Sequence, residues 1–180
     1  MAEPVSAILT PWTSFYIVTG SSAAALTGLM FVVITLVMGT ERVRRNPDGT
    51  ATFSTPTVFH FCAALFVSAV LIAPWHSFLY PGIVIGLGSL YALFYIGRVA
   101  LRSKRFTEYT PDFDDWTWYS VLPFVAYIAI LIGSIGLEIS PHQALFALAF
   151  GVLLLVLIGI RNAWDVVTFL AIGGPEGPPQ

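Results

Sequence analysis

Phe15-Tyr-Ile-Val-Thr-Gly-Ser-Ser-Ala-Ala-Ala-Leu-Thr-Gly-Leu-Met-Phe-Val-Val-Ile-Thr-Leu-Val-Met38 contains no Asp, Glu, Lys or Arg. A helix crosses a hydrocarbon core of about 30 Å with about 20 such residues, so this stretch reads as a membrane span. The rest of the chain has the same character. Of its 180 residues 57% are apolar and 10% charged, whereas a soluble domain carries about 25% charged residues. Too few solvated side chains are present to cover a folded surface in water. A water-soluble enzyme, a DNA-binding protein and a disordered linker are excluded, and the expected class is an all-α membrane protein.

Working outward from 15–38, four further apolar runs are expected to span, near 57–75, 82–101, 118–137 and 142–162. Together they predict a five-transmembrane-helix bundle forming one domain over 1–172. Asn46-Pro47-Asp48-Gly49 is a turn signal, Pro81 and Pro141 suit first-turn positions, and Thr110-Pro111-Asp112 opens a polar connection. No segment alternates apolar and polar residues as an outer-membrane barrel strand does. Residues 163–172 are apolar but too short to cross, and are expected either to extend the fifth helix or to lie in the interface. Gly173-Gly174-Pro175 stops them, with a disordered tail over 173–180. Met-Ala-Glu-Pro lacks the basic n-region of a signal peptide, so the first span is expected to be retained.

Charge distribution orients the bundle. Arg42, Arg44 and Arg45 fall in the first loop, Arg98, Arg102, Lys104 and Arg105 close the third span, and Arg161 ends the fifth. All eight basic residues thus share one side of a five-span chain, which by the positive-inside rule is cytoplasmic. The N-terminus is then outside and the C-terminus cytoplasmic. Trp12, Tyr16, Trp75 and Tyr80 mark the outer boundary, and Trp116, Trp118, Tyr119 and Trp164 the inner one.

Within the first span, Gly20, Ala24 and Gly28 recur every four residues, and Gly82 and Gly86 repeat the spacing in the third. Small residues in this pattern let helix backbones approach closely. The face serves either packing inside the bundle or association with a partner, a pore or a pigment.

A polar cluster is expected on the cytoplasmic side. His60 lies about a turn inside the second span, Tyr91, Tyr95, Arg98 and Arg102 share a face of the third, and Arg161, Asn162 and Asp165 end the fifth. Anchoring explains them if the arginines snorkel and Asp165 pairs with Arg161 at i,i+4; the alternative is a proton, ion or headgroup site. Haem ligation in a bundle needs axial side chains on facing helices. His76 and His142 are on the opposite side, so a haem would need His60 from two copies. His76, Glu138 and His142 are nitrogen and oxygen ligand types suited to zinc but lack a signature spacing. Asp112, Asp114 and Asp115 lead into the fourth helix, where carboxylates complement the helix dipole. The lone cysteine, Cys62, excludes an intrachain disulfide and a thiolate metal cage. The net charge of −2 predicts no nucleic-acid partner. No nucleophile–base motif, phosphate loop or dinucleotide fingerprint is present, and the expectation is a protein that is not an enzyme.

Three stretches, Gly20-Ser-Ser-Ala-Ala-Ala-Leu-Thr-Gly-Leu-Met-Phe-Val32, Phe53-Ser-Thr-Pro-Thr-Val-Phe-His-Phe61 and Ile158-Gly-Ile-Arg-Asn-Ala-Trp-Asp-Val-Val-Thr168, resemble a family of small, uncharacterised multi-span bacterial membrane proteins. The resemblance implies a bacterial inner-membrane location and carries over no activity, substrate, cofactor or catalytic residue. Where many of those relatives have His, this chain has Arg161, which weighs against a metal there. The leading expectation is an accessory or scaffold subunit of a membrane complex, or a homo-oligomer, packing through the first helix. The alternatives are a small ion or solute channel or transporter, and a haem- or pigment-binding redox subunit.

Overall fold

In the computed structural model, which describes residues 3–38, 47–103 and 117–172, every regular element is a helix. α1 (Val5–Leu9) runs through a single 3-10 turn (Thr10–Trp12) into α2 (Thr13–Met38). Pro11 sits at the start of that turn, where a missing N–H leaves no hydrogen bond unmade. The first helical run therefore begins ten residues before the stretch 15–38. The entering turn is pinned to the first turns of the last helix: Trp12 packs edge-on against Phe146 at 4.7 Å, and the Tyr16 hydroxyl donates to the Leu145 carbonyl at 3.3 Å.

α3 (Pro47–Ile72) starts earlier and stops sooner than its apolar run. Pro47, expected in a turn, instead opens the helix at a position proline suits. Pro74 ends the run, and the Trp75 indole donates to the Val70 carbonyl at 2.6 Å, satisfying one of the orphan acceptors at the helix end. α4 (Leu79–Ser103) follows, with the Ser77 hydroxyl accepting from the Leu79 N–H at 3.1 Å. A π turn (Thr117–Val121) leads into α5 (Leu122–Gly136), and a short turn leads to α6 (Pro141–Ile172). α6 continues through 163–172, so that segment extends the last helix. At 32 residues α6 is about 48 Å long, more than the hydrocarbon core needs.

Val5–Leu36, Leu79–Arg98, Thr117–Gly136 and Pro141–Asp165 are each long and apolar enough to cross a bilayer, and Pro56–Ile72 is a shorter apolar helix. The chain is an all-helical, multi-pass membrane protein. Large apolar side chains such as Leu36, Leu87, Ile135 and Phe146 point outward, where water would penalise them and lipid does not. Arg42, Arg44, Arg45, Lys104, Arg105, the run Asp112 to Asp115 and the tail lie outside the described residues.

Most helix pairs that pack are consecutive in sequence, but α3 leaves its successor α4 and packs on α6 instead. α2 packs on α3, α3 on α6, α6 on α5 and α5 on α4, with α2 also reaching α6. α6 is the centre: 56% of an 18-residue apolar window within Pro141–Asp165 is buried inside the bundle, against 22% of the corresponding window within Val5–Leu36. Lipid tails are as apolar as Leu, so helices associate through close packing and hydrogen bonds. α6 achieves this with glycines. A Cβ at Gly151 would collide with Ile130 and lie 2.8 Å from the Ala126 carbonyl, and one at Gly159 would enter the Phe61 ring.

Candidate functional site

Buried polar residues occur on every long helix, and the bulkiest of them are a histidine and an asparagine. His60 on α3 and Asn162 on α6 are buried, as is Thr57 one turn before His60. His60 Nδ1 and the Tyr127 hydroxyl on α5 are 3.0 Å apart, a hydrogen bond between helices that are far separated in sequence. Tyr127 was not among the candidates; its signal is a tyrosine in mid-span instead of at a membrane boundary, where tyrosine usually sits. Beside this pair Phe59 stacks on Tyr95 at 4.6 Å and stands 6.2 Å from both Tyr91 and Tyr127, so an aromatic cluster joins α3, α4 and α5.

Asn162 is fully buried, and neither its Nδ2 nor its Oδ1 has a hydrogen-bond partner among the described residues. A buried polar group without a partner costs about 1–3 kcal/mol. Its neighbours in sequence are satisfied. Arg161 pairs with Asp165 one turn on, and its guanidinium lies over the Trp118 ring at 5.9 Å. Arg98 is exposed and rests over Phe94 of its own helix at 5.6 Å. The expected cluster is thus divided: His60 joins Tyr127, Tyr95 joins Phe59, Arg161 joins Asp165, and Arg98 and Asn162 have no polar partner among the described residues.

Because the His60 ring is enclosed within a single bundle, with 1% of its surface exposed, pairing two copies of it around one haem would require the bundle to open. At the end of the bundle that holds the N-terminus and the α5–α6 turn, His142 turns to Glu3, 3.5 Å away, while Glu138 accepts from the Ser77 hydroxyl at 3.4 Å. His76 is exposed, and no group of three metal-ligand side chains forms among the described residues.

The small-residue series also divides. Four residues turn an α-helix by about 400°, so an i,i+4 series drifts about 40° per step. Gly20 faces α3, where a Cβ would come within 2.9 Å of Ser68 Cβ. Next to it the Thr19 and Ser68 hydroxyls are 3.3 Å apart, a second buried interhelical hydrogen bond. The inner face of α2 is Tyr16, Thr19, Gly20, Ala23 and Met30. Ala24 and Gly28 are exposed, together with Ser21, Ser22 and Ala25, and a Cβ at Gly28 would meet nothing within 4 Å. Gly82 and Gly86 face Ser134 of α5, where Cβ atoms would lie 2.8 Å from its carbonyl oxygen and 3.1 Å from its hydroxyl. Comparison with protein-family models, with curated proteins and with solved structures finds no match.

Proposed function

We propose that this chain acts by association within the membrane, as a non-catalytic accessory or scaffold subunit of a larger complex or as a homo-oligomer. The observation that carries the reading is the outward face of α2. Ser21, Ala24, Ala25 and Gly28 are exposed there, whereas the other outward surfaces present large apolar side chains. A strip of small residues gives lipid little to contact and lets a partner helix come close, the geometry favoured in membrane helix pairs.

In this reading the chain crosses the bilayer five times, with Pro56–Ile72 completing its crossing through the earlier turns of α3. The N-terminus is outside and the C-terminus cytoplasmic, which is supported by the grouping of all eight basic residues. A bacterial inner-membrane location rests on the resemblance of the three stretches around Gly20, His60 and Arg161. The test is the native mass of the complex in mild detergent. Ala24→Ile adds bulk to an exposed position and should release partners or dissociate the oligomer while the subunit stays folded. An unchanged native mass would overturn the proposal.

A second reading, a small ion or solute path, is favoured by Asn162 alone, since a buried amide with no hydrogen-bond partner among the described residues is a polar foothold inside the bundle. Flux into proteoliposomes that is lost in Asn162→Leu would support it.

A further inference from the structure

α3 and α4 are consecutive in sequence yet touch only sparsely, because α4 leans on α5. The opening between them is an apolar crevice of about 200 Å³, with Phe59, Ala63 and Phe66 on one wall, Gly88 and Tyr91 on the other, and Tyr127 among the side chains lining it. An enclosed apolar cavity of about 150 Å³ already accepts a benzene molecule, so this space suits a narrow hydrocarbon chain. Seven residues beyond Tyr91, about 10 Å along the axis of α4, stands Arg98. Of the two cations whose side chains are described, Arg161 is paired with Asp165, and Arg98 has only the face of Phe94.

We propose that this crevice binds one acyl chain of an anionic phospholipid, whose phosphate sits on Arg98. Tyr95, stacked on Phe59, lies between the two parts of the site. The chain end occupies the crevice, the glycerol region passes over the Phe59–Tyr95 pair, and the phosphate meets the guanidinium. Arginine suits this role because its planar fork binds phosphate oxygens through two parallel bonds. Charge argues for a lipid over a second copy of the chain. Among the residues whose side chains are described, Glu3 and Glu138 lie at the opposite end of the helices and Asp165 is held by Arg161, so none of these carboxylates is free to meet Arg98.

Cys62 supplies the readout. It is the chain's sole cysteine, it is exposed, and it lines the crevice. The purified full-length protein in detergent is titrated with dioleoyl phosphatidylglycerol or dioleoyl phosphatidylcholine, and the rate of Cys62 alkylation by N-ethylmaleimide is followed. Phosphatidylglycerol should protect Cys62 at about a tenfold lower mole fraction, the scale of one charge-assisted contact. Arg98→Gln, a change at an exposed side chain, should abolish that preference without altering the lipid-free rate. Equal protection by both lipids, or a preference that survives Arg98→Gln, would overturn the proposal. Protection that instead rises with protein concentration in the absence of lipid would assign the crevice to a second copy.

Discussion

His60 Nδ1 and the Tyr127 hydroxyl, 3.0 Å apart, tie α3 to α5 inside the apolar bundle. Both side chains are almost wholly enclosed, so each is the other's substitute for water. The pair fixes the rotation of α3, which in turn sets the neighbouring Phe59 ring against Tyr95.

Removing the tyrosine hydroxyl tests that bond. Interhelical hydrogen bonds in membranes contribute about 0.6 kcal/mol on average, and an abandoned buried partner adds to the loss. Tyr127→Phe should destabilise the bundle by about 1 kcal/mol. The double variant Tyr127→Phe/His60→Leu should recover part of that loss, as read by unfolding in mixed micelles and a double-mutant cycle. Strictly additive losses would show that the two side chains are not coupled.

Asn162 should respond in the opposite direction. Asn162→Leu removes an amide with no partner among the described residues and should raise stability by about 1 kcal/mol. A drop in stability on the same unfolding assay would mean that the amide is satisfied in the membrane.

Two glycines of α2 separate folding from association. Gly20→Val presses a side chain into Ser68 and should destabilise the subunit by about 1–3 kcal/mol. Gly28→Val enters open space and should change subunit stability by less than about 0.5 kcal/mol, while its effect appears in the native mass. Equal thermal shifts in the two variants would contradict the two-faced helix.

The central helix has a still less tolerant position. A Cβ at Gly151 meets the Ala126 backbone carbonyl as well as Ile130, and backbone cannot rotate aside. Gly151→Val should therefore cost more than Gly88→Val, whose Cβ would meet only the far edge of the Phe66 ring at 3.3 Å. Comparative yields of folded protein and unfolding midpoints give the order.

Orientation is checked by cysteine labelling in a Cys62→Ser background. Thr50→Cys should be modified only from the cytoplasmic side and Ser77→Cys only from outside, as the grouping of basic residues requires. The reverse pattern would invert the bundle.

Helical class and membrane character were legible before any coordinates, because a charge-free run such as 15–38 has one stable form in lipid: only a helix satisfies its own backbone there. Boundaries were less legible. Pro47 signals both a turn and a helix start, and only the fold chose between them.

Composition and spacing alone determined the membrane character of the chain and roughly where its helices lie, and offered the Arg161–Asp165 pair as one alternative, since an i,i+4 contact belongs to one helix. The tertiary structure decided what depends on how helices rotate against one another. It placed α6 at the centre, turned Gly20 inward and Gly28 outward, gave His60 a partner in Tyr127 and left Asn162 with none among the described residues. These are contacts between segments far apart in sequence. In a bilayer, where outside and inside are equally apolar, no hydrophobic periodicity announces which face of a helix will be buried.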